Sequence, residues 1–178
     1  MKIKSNLNWE RIHRFQKKEG WCGPAVIQMI LLSGGIRKTQ RSIAQAVYKE
    51  WWGTDQQMIV AYLSKFFNHI SYKSNARISD IKRKLKKNYV ILVDWWDDFD
   101  ASDPDGHYTL VIGYDTEKEK IKMADPSNER KGIWEMDKEE FKKRWYDSLD
   151  TQGRKWISGW MLWVDPESKI SKEATKPS

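Results

Sequence analysis

The chain is 178 residues long, 39% hydrophobic and 32% charged, which suits one folded domain over 1–178 with enough length to bury its own core. No run reaches the roughly 20 apolar residues of a membrane helix, and the start, Met-Lys-Ile-Lys-Ser-Asn, lacks the apolar stretch of a signal peptide. The lone cysteine allows no internal disulfide and fits a reducing compartment, so a cytoplasmic protein without membrane contact is expected.

The net charge of +7 is spread along the chain. Its densest run, Lys82-Arg83-Lys84-Leu85-Lys86-Lys87, follows Ile81, so Ile81 and Leu85 stand four apart. That spacing describes a helix with one apolar stripe and a solvated basic face, and no nucleic-acid partner is expected.

In chain order, the first half reads as helices. After Cys22, the residues Val26, Met29, Ile30 and Ser33 share one face at 3.6 spacing, and Gly34-Gly35 is a natural stop. Thr39 is placed to cap a second helix carrying Ile43, Ala46 and Val47. Thr54-Asp55-Gln56-Gln57 has the spacing of a capping box before Met58, Ile59, Tyr62, Leu63 and Phe66. Ser79-Asp80 opens the short basic helix.

The second half reads as strands: Tyr89–Val93, Tyr108–Tyr114, and the alternating Lys120–Met123 after a polar hairpin connector at Asp115–Glu119. A helix beginning near Asp137, with Phe141 and Trp145 on one face, interrupts them, and Trp156–Val164 returns as a final strand. The fold class is therefore α+β, a helical N-terminal lobe (about 10–88) packed on an antiparallel sheet lobe (about 89–166), with a loose polar tail at 167–178. Eleven tryptophans are many, and the pairs Trp51-Trp52 and Trp95-Trp96 suit either a core or a groove.

Chemistry concentrates in three segments. Cys22 stands in Gly20-Trp21-Cys22-Gly23-Pro24-Ala25, at the head of an apolar helix, with Gln16 six residues upstream. A thiol acts as thiolate, and a helix N-terminus or a nearby imidazolium lowers its pKa. Gly23 lets the backbone turn near the thiol, and Pro24 suits a first helical turn. His107 begins a strand after the turn Asp103-Pro104-Asp105-Gly106, where a base for Cys22 can face a helix terminus. Asp125 closes the next strand before Pro126 and can accept from the second nitrogen of His107. Gln16 can give its amide to an oxyanion, together with the Cys22 N–H. His13 and His69 read as ordinary surface or capping histidines.

Asp94, Asp97, Asp98, Asp100, Asp103 and Asp105 crowd the segment before His107. No register matches a calcium-binding loop, so no metal is expected there, and a loop of this charge beside a cleft favours basic peptide segments.

These residues, in this order, resemble the papain-like cysteine peptidases, and more narrowly the C39 peptidases and their stand-alone C39-like relatives. The Gln16-to-Cys22 spacing, Cys22-Gly23-Pro24-Ala25, the Gly106–Asp115 strand and Ala124-Asp125-Pro126 carry the resemblance over about residues 10–165. It implies Cys22 as nucleophile, His107 as base and acid, Asp125 as orienter and Gln16 in the oxyanion hole, with an acyl-enzyme and no metal or organic cofactor. C39 peptidases typically trim leader peptides after a double glycine, as the N-terminal domain of an ABC exporter. This chain shows no membrane segment or nucleotide-binding loop, so the resemblance is carried to the thiol chemistry and to a peptide or protein substrate. Two other readings stay open: the same triad used for acyl transfer or small-amide hydrolysis, and a non-catalytic peptide-binding module. The presence of both Cys22 and His107 favours an enzyme.

Overall fold

Residues 1–150 and 152–170 are described by a computed structural model. Its first half holds β1 (Lys2–Lys4), α1 (Trp9–Ile12), α2 (Cys22–Ser33), α3 (Gln40–Val47), β2 (Tyr48–Lys49), β3 (Gly53–Thr54), α4 (Gln56–Leu63), β4 (Ile70–Lys73) and α5 (Ile78–Lys86). The second half holds β5 (Val90–Asp97), β6 (Asp105–Asp115), β7 (Lys120–Ala124), β8 (Ile133–Asp137), α6 (Lys138–Arg144), β9 (Tyr146–Ser148), β10 (Trp156–Ser158) and β11 (Met161–Val164).

The main sheet runs β4-β11-β5-β6-β7-β8, with every pairing antiparallel. Its central strands are buried on both faces, which is why Val90–Val93 and Tyr108–Tyr114 read as apolar runs instead of alternating. One face packs on α2, α3 and α4 through Val90, Leu92, Leu110 and Ile112. The other packs on α5 and α6 through Ile91, Val93 and Val111, with Ile81, Leu85 and Phe141 opposite. The antiparallel α+β arrangement expected from the sequence is the one observed.

Helix α2 differs from the expected one-faced helix. Gly23–Ile27 and Met29–Leu31 are all buried, because α3 and α4 cover one side while β6 covers the other. A helix apolar all round belongs inside. Gly23 is helical, and no turn needs it. A Cβ there would meet Thr54 Cβ and Oγ1 at 2.6 Å, so glycine lets β3 lie against the head of α2.

Thr39 does cap α3, accepting from Ser42 N–H. The capping box at α4 is absent. Thr54 lies in β3, and Asp55 occupies the cap position with its carboxylate taken by Lys49 and Trp52. Two strands from the first half join the sheet: β4 beside β11, and β1 beside the end of β6 that β5 leaves open. The final strand is split, because Gly159 at φ +59° turns the chain between β10 and β11. Glu167–Ile170, expected to be loose, runs beside Phe66–His69, with Asn68 N–H on Ser168 O and Ile170 N–H on Phe66 O. The rest of that tail, 171–178, lies outside the described residues.

Candidate active site

Cys22 is the first residue of α2, half-buried, and the cap residue Trp21 offers no side-chain hydrogen bond. The unpaired N–H groups of that first turn and the helix dipole therefore face the thiol region. His107 is the third residue of β6, opposite Trp95 of β5. Its Nε2 lies 2.8 Å from Asp125 Oδ1, and the Cys22 thiol is close enough to act on the charge of the imidazole. The buried Trp95 ring stands edge-on to the imidazole at 5.5 Å, shielding it from water.

Asp125, just past β7, is fully buried and held by more donors than the sequence indicated. Its Oδ1 also accepts from Ser127 N–H at 2.9 Å, while Oδ2 accepts from Arg130 Nε at 2.7 Å and Trp134 Nε1 at 2.9 Å. Arg130 reaches on to Asp97 and lies over the rings of Trp95 and Trp134. His13, expected to be an ordinary surface histidine, has its Nε2 on Asp125 O at 2.7 Å. Gln16 is stitched to the same loop through its backbone. Its N–H donates to Pro126 O at 2.8 Å and its carbonyl accepts from Asn128 Nδ2 at 2.9 Å. His69 is exposed and stands beside Asp165, as an ordinary surface histidine would.

These contacts set the charges. Burial alone would depress the His107 pKa, but the hydrogen bonds to Asp125 and Cys22 outweigh it and raise it to about 10. Burial would raise Asp125, yet the hydrogen bond and charge of His107, the charge of Arg130 and the Ser127 N–H bring it down to about 2. An imidazolium and a carboxylate are thus paired beside the thiol at neutral pH.

The family model of Peptidase C39-like proteins matches residues 7–152. The chain belongs to the Peptidase C39-like family. No curated protein shows a significant match to the sequence. Among solved structures, the peptidase domain of Streptococcus ComA, a bifunctional ABC transporter of a quorum-sensing pathway, is similar with a TM-score of 0.63 at 18% identity, covering 85% of this chain and 96% of that one. A double glycine motif protease from an AMS/PCAT transporter, solved with its leader peptide, gives a TM-score of 0.56 at 16% identity over 84% and 88% of the two chains. A C39-like peptidase candidate from Bacillus anthracis gives 0.61 at 13% identity over 86% and 93%. At these identities the likeness is one of fold, and it is the papain-like peptidase fold.

In this C39-like chain, Cys22 opens onto a cleft of about 1460 Å³. The acidic segment sorts along its edge. Asp94 and Asp97 belong to β5 and Asp105 starts β6; only Asp94 and Asp105 line the cleft, joined by Asp147 of β9. Asp97 serves Arg130, Asp98 holds Arg144, and Asp100 closes a turn on Ser102. The tryptophan pairs divide as well. Trp95 is core, while Trp96, Trp51 and Trp52 line the cleft.

Among the described residues no helix is long and apolar enough to cross a membrane. Sequence reasoning missed Arg130, Trp134 and Asp147. Arg130 lies five residues past Asp125, a weak signal at best, and Asp147 sits in a β9–β10 pairing that carries no motif.

Proposed function

We propose that this C39-like protein is a cysteine peptidase, cleaving a peptide bond through Cys22, His107 and Asp125 by way of an acyl-enzyme. The observation that carries the reading is the position of His107, whose Nε2 is 2.8 Å from Asp125 and whose imidazole lies near enough to Cys22 for the thiol to influence its charge. With Nε2 committed to Asp125, Nδ1 is the nitrogen left for the thiol. The raised His107 pKa keeps the imidazolium at neutral pH, the form that stabilises a thiolate.

The thiolate of Cys22 attacks the scissile carbonyl carbon, a C–S bond forms, and negative charge develops on the carbonyl oxygen. The Cys22 N–H and the Gln16 side-chain amide are the donors for that oxyanion, a role supported by the backbone bonds that tie Gln16 to Pro126 and Asn128 in the loop after Asp125. As the C–N bond breaks, His107 gives its proton to the departing amine. Water then attacks the thioester and yields a proton to His107. The C–S bond breaks, releasing the acid and restoring the thiolate–imidazolium pair. Asp125 holds the imidazole in place through both halves. The likeness to a domain solved with its leader peptide supports a peptide substrate.

The test is the rate of Cys22 alkylation by iodoacetamide against pH, in wild type and His107→Ala, followed by product analysis on peptides. Reactivity persisting well below a free thiol's pKa of about 8.5, lost in the variant, is expected. Two proteins that titrate alike would refute the pair. Turnover of small amides in preference to peptides would overturn the substrate while leaving the chemistry.

A further inference from the structure

On a chain of net charge +7, the cleft beside Cys22 is acidic. Glu50, Asp55, Asp94, Asp105, Asp147 and Asp150 line it, against Lys155 as the cation among its described residues. Two of these carboxylates make a floor that nothing in the proposed triad uses. Asp94 is 1% exposed, and its Oδ2 accepts from Gln56 Nε2 at 2.6 Å. Its Oδ1 is buried and receives no hydrogen bond from the described residues.

What stands within hydrogen-bonding reach of Asp94 is another acceptor, the Asp147 carboxylate. Asp147 in turn is pressed onto β6, where a Cβ on Gly106 would collide with both of its oxygens. Gly106 immediately precedes His107, so the pair sits next to the catalytic strand. In the same cleft, Trp96 stacks on Tyr146 and meets the edge of Trp156 at 5.3 Å, and both tryptophans line it.

Two carboxylates in contact without a donor are a costly arrangement. Burial, then the Asp147 charge, raises Asp94 well above the usual carboxylate range, and burial raises Asp147 to about 6. A proton held on Asp94 and donated to Asp147 satisfies the empty pair. A monovalent organic cation can take the place of that proton, bringing N–H donors to the carboxylates in a cleft that aromatic side chains also line. Among the described residues no group of three or more His, Cys, Asp or Glu is placed to hold a metal ion, which favours an ammonium or guanidinium.

We propose that Asp94 and Asp147, in the cleft that Trp96 and Trp156 also line, form a specificity subsite for a positively charged group of the substrate, either a Lys or Arg side chain near the scissile bond or a free N-terminal amine. The proposal takes the nature of its ligand from the peptidase reading. Its binding test does not depend on turnover.

The probes are Nα-acetyl-lysine methylamide, Nα-acetyl-arginine methylamide, norleucine methylamide with a free α-amine, and the uncharged Nα-acetyl-norleucine methylamide. Each is titrated into the full chain while the indole N–H resonances of Trp96 and Trp156 are followed by NMR. The charged probes are expected to shift both resonances and to bind at least tenfold more tightly than the uncharged one. Whichever of the side-chain or α-amine probes binds tighter identifies the source of the cation. Asp147→Asn and Asp94→Asn, which keep shape and, at 94, the hydrogen bond with Gln56, are expected to remove that tenfold preference while the protein remains folded by circular dichroism.

Equal binding of charged and uncharged probes, no binding of any probe, or an unchanged preference in a folded Asp94→Asn/Asp147→Asn double variant would each overturn the subsite. Loss of the peptidase reading shows elsewhere, as a Cys22 without enhanced reactivity, and leaves this result standing.

Discussion

Two buried carboxylate centres flank the same strand, and they behave in opposite ways. Asp125 is surrounded by donors, with His107, Arg130, Trp134 and the Ser127 N–H all on its two oxygens, and its pKa falls to about 2. Asp94 is just as deeply buried, but among the described residues Gln56 is its one side-chain donor and Asp147 its neighbour, and its pKa is driven up. Burial is common to both, so the partner decides the sign. One centre is complete in itself. The other has an oxygen, Asp94 Oδ1, without a donor among the described residues.

The pH consequences diverge accordingly. Stability from the Asp125 pairing is present above its unfolded pKa near 3.8 and is lost as pH falls through about 2. The His107 contribution is present below 6.5 and is lost as pH rises through about 10. Asp147 works the other way: with its pKa raised from 3.8 to about 6, the folded state loses stability as pH climbs through that interval.

Substitutions can break this contrast, and the largest effect is expected at the thiol. Cys22→Ala should reduce peptide turnover by about 10⁴-fold or more with the melting temperature nearly unchanged, measured by product formation and thermal unfolding. Asp125→Ala should lower kcat/KM by about 10²-fold. It should also draw the alkaline limb of the pH profile down from about 10, because the imidazolium loses the carboxylate that raised it.

Arg130→Met removes the cation shared by Asp125 and Asp97 and should cost about 3 kcal/mol in denaturant unfolding. Asp147→Asn should do the reverse and stabilise the protein at pH 8 by about 2–3 kcal/mol, an advantage that vanishes near pH 4. A variant no more stable than wild type at pH 8 would remove the contrast between the two centres. Trp134→Phe, which deletes one of several donors to Asp125, should cost about 1 kcal/mol and leave turnover within severalfold.

Local chemistry made much of this protein legible in one dimension. The Thr39 cap, the Asp137 cap on α6, the apolar runs of β5 and β6 and the connector at Asp115–Glu119 depend on neighbours a few residues away. Cys22 at a helix head, His107 on a strand and Asp125 at a strand end were readable for the same reason, each being a residue type in a local setting that suits its chemistry. Their distances from one another were not, because strand register and helix packing bring positions 22, 107 and 125 together.

Register likewise placed Asp94 opposite Tyr108 and pressed Asp147 onto Gly106. In one dimension Asp94 was one member of an acidic run, and Asp147 carried no signal at all. Helix α2 was read as one-faced because its neighbours on both sides come from distant parts of the chain. Residue types and short-range spacing thus pointed to the candidate thiol, imidazole and carboxylate. Burial and the identity of long-range partners settled which carboxylate has its pKa drawn down and which has it pushed up, because pKa values follow from the three-dimensional arrangement of donors and acceptors and from exclusion of water.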